Sequence, residues 1–133
     1  DLSIGPDRLR GNESIRKLCR ETRLSPDSLI YPIFVDETLT APPIPSLEGQ
    51  LHYGLDSVGQ AVEDCLAHGW PVHLFGLPEH KGATGSSAWD EHGVVQEAVR
   101  SSSGPIPTSM YHDVCMCEYT DHGHCGALCG HSV

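Results

Sequence analysis

The chain has 133 residues, room for one domain and no more, and 14 glycines and 10 prolines that point to many turns around a limited core. Its formal charge of −10 is uneven, with six basic and four acidic side chains in residues 1–23 against two basic and fourteen acidic in 24–133, so nucleic acid, which needs a basic surface, is excluded as a partner. No apolar run approaches the roughly 18 residues of a membrane span, and no apolar segment opens the chain as a secretion signal would.

Asn12 is placed to cap a short helix in which Ile15, Leu18 and Cys19 share a face and Arg16, Lys17 and Arg20 form a basic rim. Pro26 ends any continuation. Leu29 to Val35 is an apolar run of strand length, with Pro32 its awkward member. Residues 38–54, rich in proline and without a clear period, read as a long loop. Asp56 is expected to cap the strongest helix, where Val58, Ala61, Val62, Cys65 and Leu66 recur at helical spacing and Gly69 marks the stop. Val72 to Leu77 is a second strand. The Gly- and Ser-rich loop after it lacks the pattern of a phosphate cradle. A helix from about Glu91 to Ser101 then turns Val94, Val95, Ala98 and Val99 inward, and Ile106 to Tyr111 is a weaker third strand. The order β, α, β, α, β predicts an α/β fold with a parallel sheet, whose chemistry collects at the carboxyl ends of the strands.

The cysteine run begins where the third strand should end. Cys115, Cys117 and Cys125 fall within eleven residues, interleaved with His122 and His124. Thiolate and imidazole are the usual ligands of Zn²⁺. A Cys-x-Cys hook plus one distant cysteine leaves the fourth position to water or substrate, as catalytic zinc sites do. Cys129 offers the alternative: as a fourth ligand it would close the site and make a non-catalytic zinc-binding domain. With no secretion signal, the six cysteines are expected to be reduced cytoplasmic thiols, Cys19 and Cys65 buried on helix faces and three or four of the others at the metal. Asp113, two residues before the hook, is placed to orient a substrate amine or to accept a proton.

The run from Asp113 to Gly126 resembles the zinc loop of the porphobilinogen synthase (5-aminolevulinate dehydratase) family. Five further segments agree in the same order: Arg8 to Asn12, Ile15 to Thr22, Leu29 to Val35, Leu74 to Glu79 and Thr84 to Ser86. The resemblance implies a (β/α)8 TIM barrel, which takes about 250 residues when complete. The chain is then a single partial domain over 1–133, with an N-terminal arm and helix over 1–25 and roughly the first three β/α units over 26–133, ending in the zinc loop. It further implies that Cys115, Cys117 and Cys125 hold the zinc that binds the second of two 5-aminolevulinate molecules. Asp113 matches an acidic active-site position, and His124 a histidine of the family with a second-shell or ligand role. The complete protein is expected to be a homo-oligomer, its arm wrapping a neighbouring subunit.

Some features depart from the family. Its Schiff-base lysines stand on later strands, and the two lysines here, Lys17 and Lys81, lie in neither context. His52 ends a segment where the family reads Arg, His112 replaces a Thr and Gly82 an Asp. Taken alone, the chain is expected to be inactive and marginal in stability, with an open sheet edge.

Overall fold

Three α-helices and four strands frame the computed structural model, which describes residues 9–38, 42–102 and 110–130. They are α1 (Glu13–Cys19), β1 (Tyr31–Asp36), β2 (His52–Gly54), α2 (Val58–Ala67), β3 (Val72–Leu77), α3 (Val94–Ser101) and β4 (Met110–His112). The four strands form one parallel sheet in the order β2-β1-β3-β4.

Alternation along the strands gives the sheet two unlike faces. Ile33 and Val35 of β1 and Val72 and Leu74 of β3 are at most 1% exposed, packed with Val58 and Val62 of α2 and Val94, Val95 and Ala98 of α3. Each valine, leucine or isoleucine among them contributes about 1.5–3 kcal/mol by leaving water. Both crossover helices thus pack on the same side of the sheet. A doubly wound sheet carries helices on both faces, so one-sided cover is the mark of a barrel wall. The opposite face carries Phe34, His73 and Phe75, half-buried, with ring centroids 5.3 Å apart for Phe34–Phe75 and 4.5 Å for His73–Phe75.

The second predicted strand stands at Val72–Leu77 as expected, and other elements differ in detail. Asn12 caps α1, its Oδ1 accepting from the Ile15 amide at 3.0 Å, yet no residue of α1 is buried. Leu18 is 78% exposed and Cys19 is exposed as well, because the apolar stripe meets no partner surface among the described residues. The segment expected to be all loop yields β2, which adds parallel to β1 with Phe34 opposite His52. A turn over 44–50 sets it up, with the His52 amide donating to the Pro42 carbonyl and Ile44 to Gln50. Three residues are too few for a period-2 signal. Asp56 is not the cap of α2. Ser57 holds that position without a side-chain cap bond. α3 starts at Val94, later than expected, behind Gly93. The last strand is seen as Met110–His112, and positions 106–109 lie outside the described residues.

Candidate metal centre

The loop that carries the thiols is pinned to the sheet at its start. The Asp113 amide donates to the Leu74 carbonyl at 3.0 Å, which continues the pairing of β4 with β3 by one residue. Asp113 Oδ1 then accepts from the Cys115 amide at 3.2 Å, so the carboxylate shapes the turn into the hook. The chain tightens as the Tyr119 and Thr120 amides both donate to the Met116 carbonyl. Tyr119, 5% exposed, plunges into the core against Gly76 of β3. A Cβ at position 76 would lie 2.6 Å from the Tyr119 hydroxyl and 2.7 Å from methyls of Val94 and Val95, so only glycine leaves room for the ring.

The return limb is fastened to the loop after β3. Gly82 donates to the Tyr119 carbonyl at 3.1 Å, and Asp121 donates to Gly82. The buried Thr120 hydroxyl donates to the His124 carbonyl at 2.8 Å, and Gly123, at φ 73°, makes the reversal between the two histidines. These bonds carry Cys125 back over the hook.

The three sulfurs meet. Cys115 Sγ lies 3.2 Å from Cys117 Sγ and 3.1 Å from Cys125 Sγ, and the three ligand atoms all fall within 4.8 Å of one another. A tetrahedral zinc with Zn–S of about 2.3 Å spaces its sulfurs about 3.8 Å apart. An opening of roughly half an ångström, in a loop of half-buried and exposed residues, accommodates such an ion, and the all-sulfur donor set fits a borderline or soft cation. The Cys117 backbone amide, followed by the Cys125 and Cys117 thiols, hydrogen-bonds to the Cys115 sulfur and lowers its pKa. Its bond to Cys115, and then the Glu118 carboxylate, push Cys117 up to about 12, and the bond to Cys115 raises Cys125. Of the three thiols only Cys115 is held below its ordinary value.

The other expected site residues are placed differently. Asp113 lies beside the cluster, within 4.8 Å of Cys115 and Glu118 in a second group of ligand atoms. His122 commits both ring nitrogens to the loop, Nδ1 accepting from the His124 amide at 3.2 Å and Nε2 lying 3.2 Å from the Ala83 carbonyl. The exposed His124 ring sits 5.6 Å from that of His122 and joins neither ligand group. Cys129 is exposed and outside both groups. All six cysteines are free. Sequence reasoning passed over Glu118, whose Oε2 is 3.3 Å from Cys117 Sγ, and the anchors Tyr119, Thr120 and Gly76. The only available signal for Gly76 was its place in a strand interior, where glycine usually marks a close approach. A cavity of about 330 Å³ behind the loop reaches Asp113 and Cys115 but neither Cys117 nor Cys125. Val95 and Val99 of α3 line it, so it is a slot on the helix side rather than the mouth of the site.

The sequence profile of the delta-aminolevulinic acid dehydratase family matches residues 4–133. The chain is 50% identical over 131 residues to the delta-aminolevulinic acid dehydratase of Ruminiclostridium josui, covering 96% of this chain and 64% of that one. Against the Archaeoglobus fulgidus enzyme it is 46% identical over 118 residues, covering 86% and 37%. The crystal structure of the Toxoplasma gondii ME49 enzyme, in complex with the reaction product porphobilinogen, superposes with a TM-score of 0.78 at 27% identity, covering 98% of this chain and 38% of that one. The chain thus spans between about a third and two thirds of the length of these relatives.

Proposed function

The chain belongs to the delta-aminolevulinic acid dehydratase family, and from that premise we propose that it is the metal-loop portion of a zinc-dependent porphobilinogen synthase, a lyase that condenses two 5-aminolevulinate molecules. The observation that carries the reading is the convergence of Cys115, Cys117 and Cys125 to 3.1–3.2 Å at the carboxyl end of a parallel strand. Zinc held by these three sulfurs would act there as a Lewis acid toward a substrate carbonyl. Asp113, fixed at the end of β4 by its bond to Leu74, presents a carboxylate beside the thiols that can orient the substrate amine and take its proton. Tyr119 and Thr120 hold the loop that brings Cys117 and Cys125 each close to Cys115. Lys17 and Lys81 are both exposed, whereas a Schiff-base lysine needs a desolvated pocket, so on this reading the nucleophilic amines come from the remaining barrel.

The setting of the complete enzyme follows. The unburied α1, with Leu18 exposed, suits an arm that packs on a neighbouring subunit of a homo-oligomer. The acidic body suits a small-molecule enzyme of the cytoplasm with neither nucleic acid nor membrane as partner. Among the described residues no helix is long and apolar enough to cross a membrane.

The test is a chimera of residues 1–133 with the part of the Archaeoglobus fulgidus relative that follows the matched region. Porphobilinogen should form from 5-aminolevulinate, depend on added Zn²⁺ and be lost in Cys117→Ser. A folded, zinc-loaded chimera that makes none would refute the reading.

A further inference from the structure

At the edge of the sheet β2 pairs with β1 alone among the described strands, with Phe34 opposite His52, Val35 opposite Tyr53 and Asp36 opposite Gly54. So short a strand depends on its cross-strand side chains to stay in place. His52 shares the helix-free face with Phe34, the two rings tilted at 6.2 Å between centroids. Its Nδ1 is buried and has no hydrogen-bond partner among the described residues. Asp36 Oδ2 stands 3.9 Å from that nitrogen, too far for a hydrogen bond and near enough for an ion pair.

The two protonation states of the ring fare differently. Neutral imidazole, in either tautomer, leaves a buried polar nitrogen unsatisfied, which is unfavourable. Protonated, the same nitrogen is a charged donor facing a carboxylate oxygen. Asp36 keeps Oδ2 for it, because Oδ1 accepts from the Thr38 amide at 2.8 Å and from the Thr38 hydroxyl. With the side chains 25% and 17% exposed, the pair is screened less than one on the open surface. The other charged groups around this face are engaged elsewhere or distant. Glu37, next along from Asp36, accepts from the Glu79 amide at 2.7 Å. His73 lies on the far side of the stacked Phe34 and Phe75 rings. Asp113 follows β4, three strands from β2, roughly 14 Å at about 4.8 Å per strand, and it holds the Cys115 amide.

We propose that His52 and Asp36 form a pH-sensitive latch on β2. With the imidazole protonated the pair draws together and fixes β2 against β1. With it neutral, the strand is held by its backbone bonds and ring packing alone. The charged form is the one the fold favours, so the contribution is present on the acid side of the imidazole range of about pH 5–8 and lost as pH rises through it. On the far acid side it ends where carboxylates protonate, near about pH 4. Asp36 closes β1 at the carboxyl end of the sheet, where the proposed site opens, so the latch sets how firmly that rim is held. It stands whether or not the three sulfurs bind a metal.

Hydrogen exchange of the full chain tests this, read at about pH 5.5 and pH 8 as protection of the β2 amides relative to those of β3. Referring β2 to β3 removes changes in global stability from the comparison. Relative protection in wild type should fall about two- to fivefold from the lower to the higher pH, the scale of a partly screened ion pair. His52→Arg, charged at both pH values, should keep the high protection at both. His52→Gln and Asp36→Asn should show the low protection at both. A wild-type ratio that is flat or rises with pH would overturn the latch, and this reading needs no variant to fold. A pH-dependent fall that persists in His52→Gln would overturn it equally, by placing the titrating group elsewhere.

Discussion

Gly76→Ala isolates the contact that ties the metal loop to the sheet. The added methyl would sit 2.6 Å from the Tyr119 hydroxyl and 2.7 Å from methyls of Val94 and Val95, all closer than carbon atoms tolerate. The two valines belong to α3, which Gln96 ties to the Ala88 carbonyl, so the ring of Tyr119 is the element that gives. Overpacking of this kind costs about 2–3 kcal/mol in the upper part of its usual range, and relief of the glycine entropy in a strand returns about 0.5–1 kcal/mol. The net loss is about 1–2 kcal/mol. For a chain of this size about 3–5 °C of Tm follows each kcal/mol, so circular dichroism melts of the metal-free chain should fall by about 3–10 °C. Tyr119→Phe removes the nearest of the three clashing atoms. In that background Gly76→Ala should cost about 0.5–1 kcal/mol less, a coupling that a double-mutant cycle reads directly. A neutral Gly76→Ala, or one that costs as much in the Tyr119→Phe background as in the wild type, would refute the claim that the ring is what glycine makes room for.

Three further outcomes are expected. Cys125→Ser should abolish tight Zn²⁺ binding in a competition titration, while Cys129→Ser leaves stoichiometry and affinity unchanged, because only the former lies within the sulfur group. Thr120→Val should cost about 1 kcal/mol through the lost bond to the His124 carbonyl and weaken metal affinity more than it lowers the melting point. Tyr119 is pushed up to about 12 by burial, then by the Glu118, Asp113 and Glu37 carboxylates. Its folded pKa therefore exceeds the unfolded value, and the stability it adds is full below about pH 10 and lost as pH rises toward 12. Alkaline unfolding should accordingly shift to higher pH in Tyr119→Phe, and an unmoved midpoint would count against the buried hydroxyl as its cause.

What could be read from residues follows how local each signal is. The repeat of Val72 and Leu74 on one face and the stripe of Val58, Val62 and Cys65 are properties of single segments, and both appear where expected. The strand His52–Gly54 is three residues that pair only because β1 lies beside them, and nothing in their own pattern announces it. Asp56 has the right chemistry for a cap, yet Ser57 occupies the place, since boundaries depend on where the preceding strand releases the chain. The spacing of Leu18 and Cys19 predicts a buried face, but spacing shows only that a stripe exists. It does not say that a partner surface lies within the same polypeptide. In the site, the sulfur cluster could be inferred because metal ligands are recognisable by type and interval. The supports could not, because Tyr119 meeting Gly76 joins residues 43 positions apart.

Those supports also divide the labour between this chain and the rest of the barrel. The described anchors of the loop run from Asp113 to Leu74, from Tyr119 to Gly76 and Gly82, and from His122 to Ala83. All of them fall between residues 74 and 125, within a single pair of neighbouring strands and the loops that follow them. The geometry that brings three sulfurs together therefore does not wait for strands outside the chain. Chemistry does. Schiff-base formation needs a lysine amine in a desolvated pocket, whereas Lys17 sits on the unburied α1 within 3.9 Å of Glu13 and Lys81 is exposed after β3. The aromatic face of Phe34, His73 and Phe75, with the His73 Nε2 buried and without a hydrogen-bond partner among the described residues, is the side on which the proposed reading would build that pocket. On the proposed reading, metal affinity and catalysis would be separable, the first resting on one strand pair and its loops, the second on closure of the sheet into a barrel.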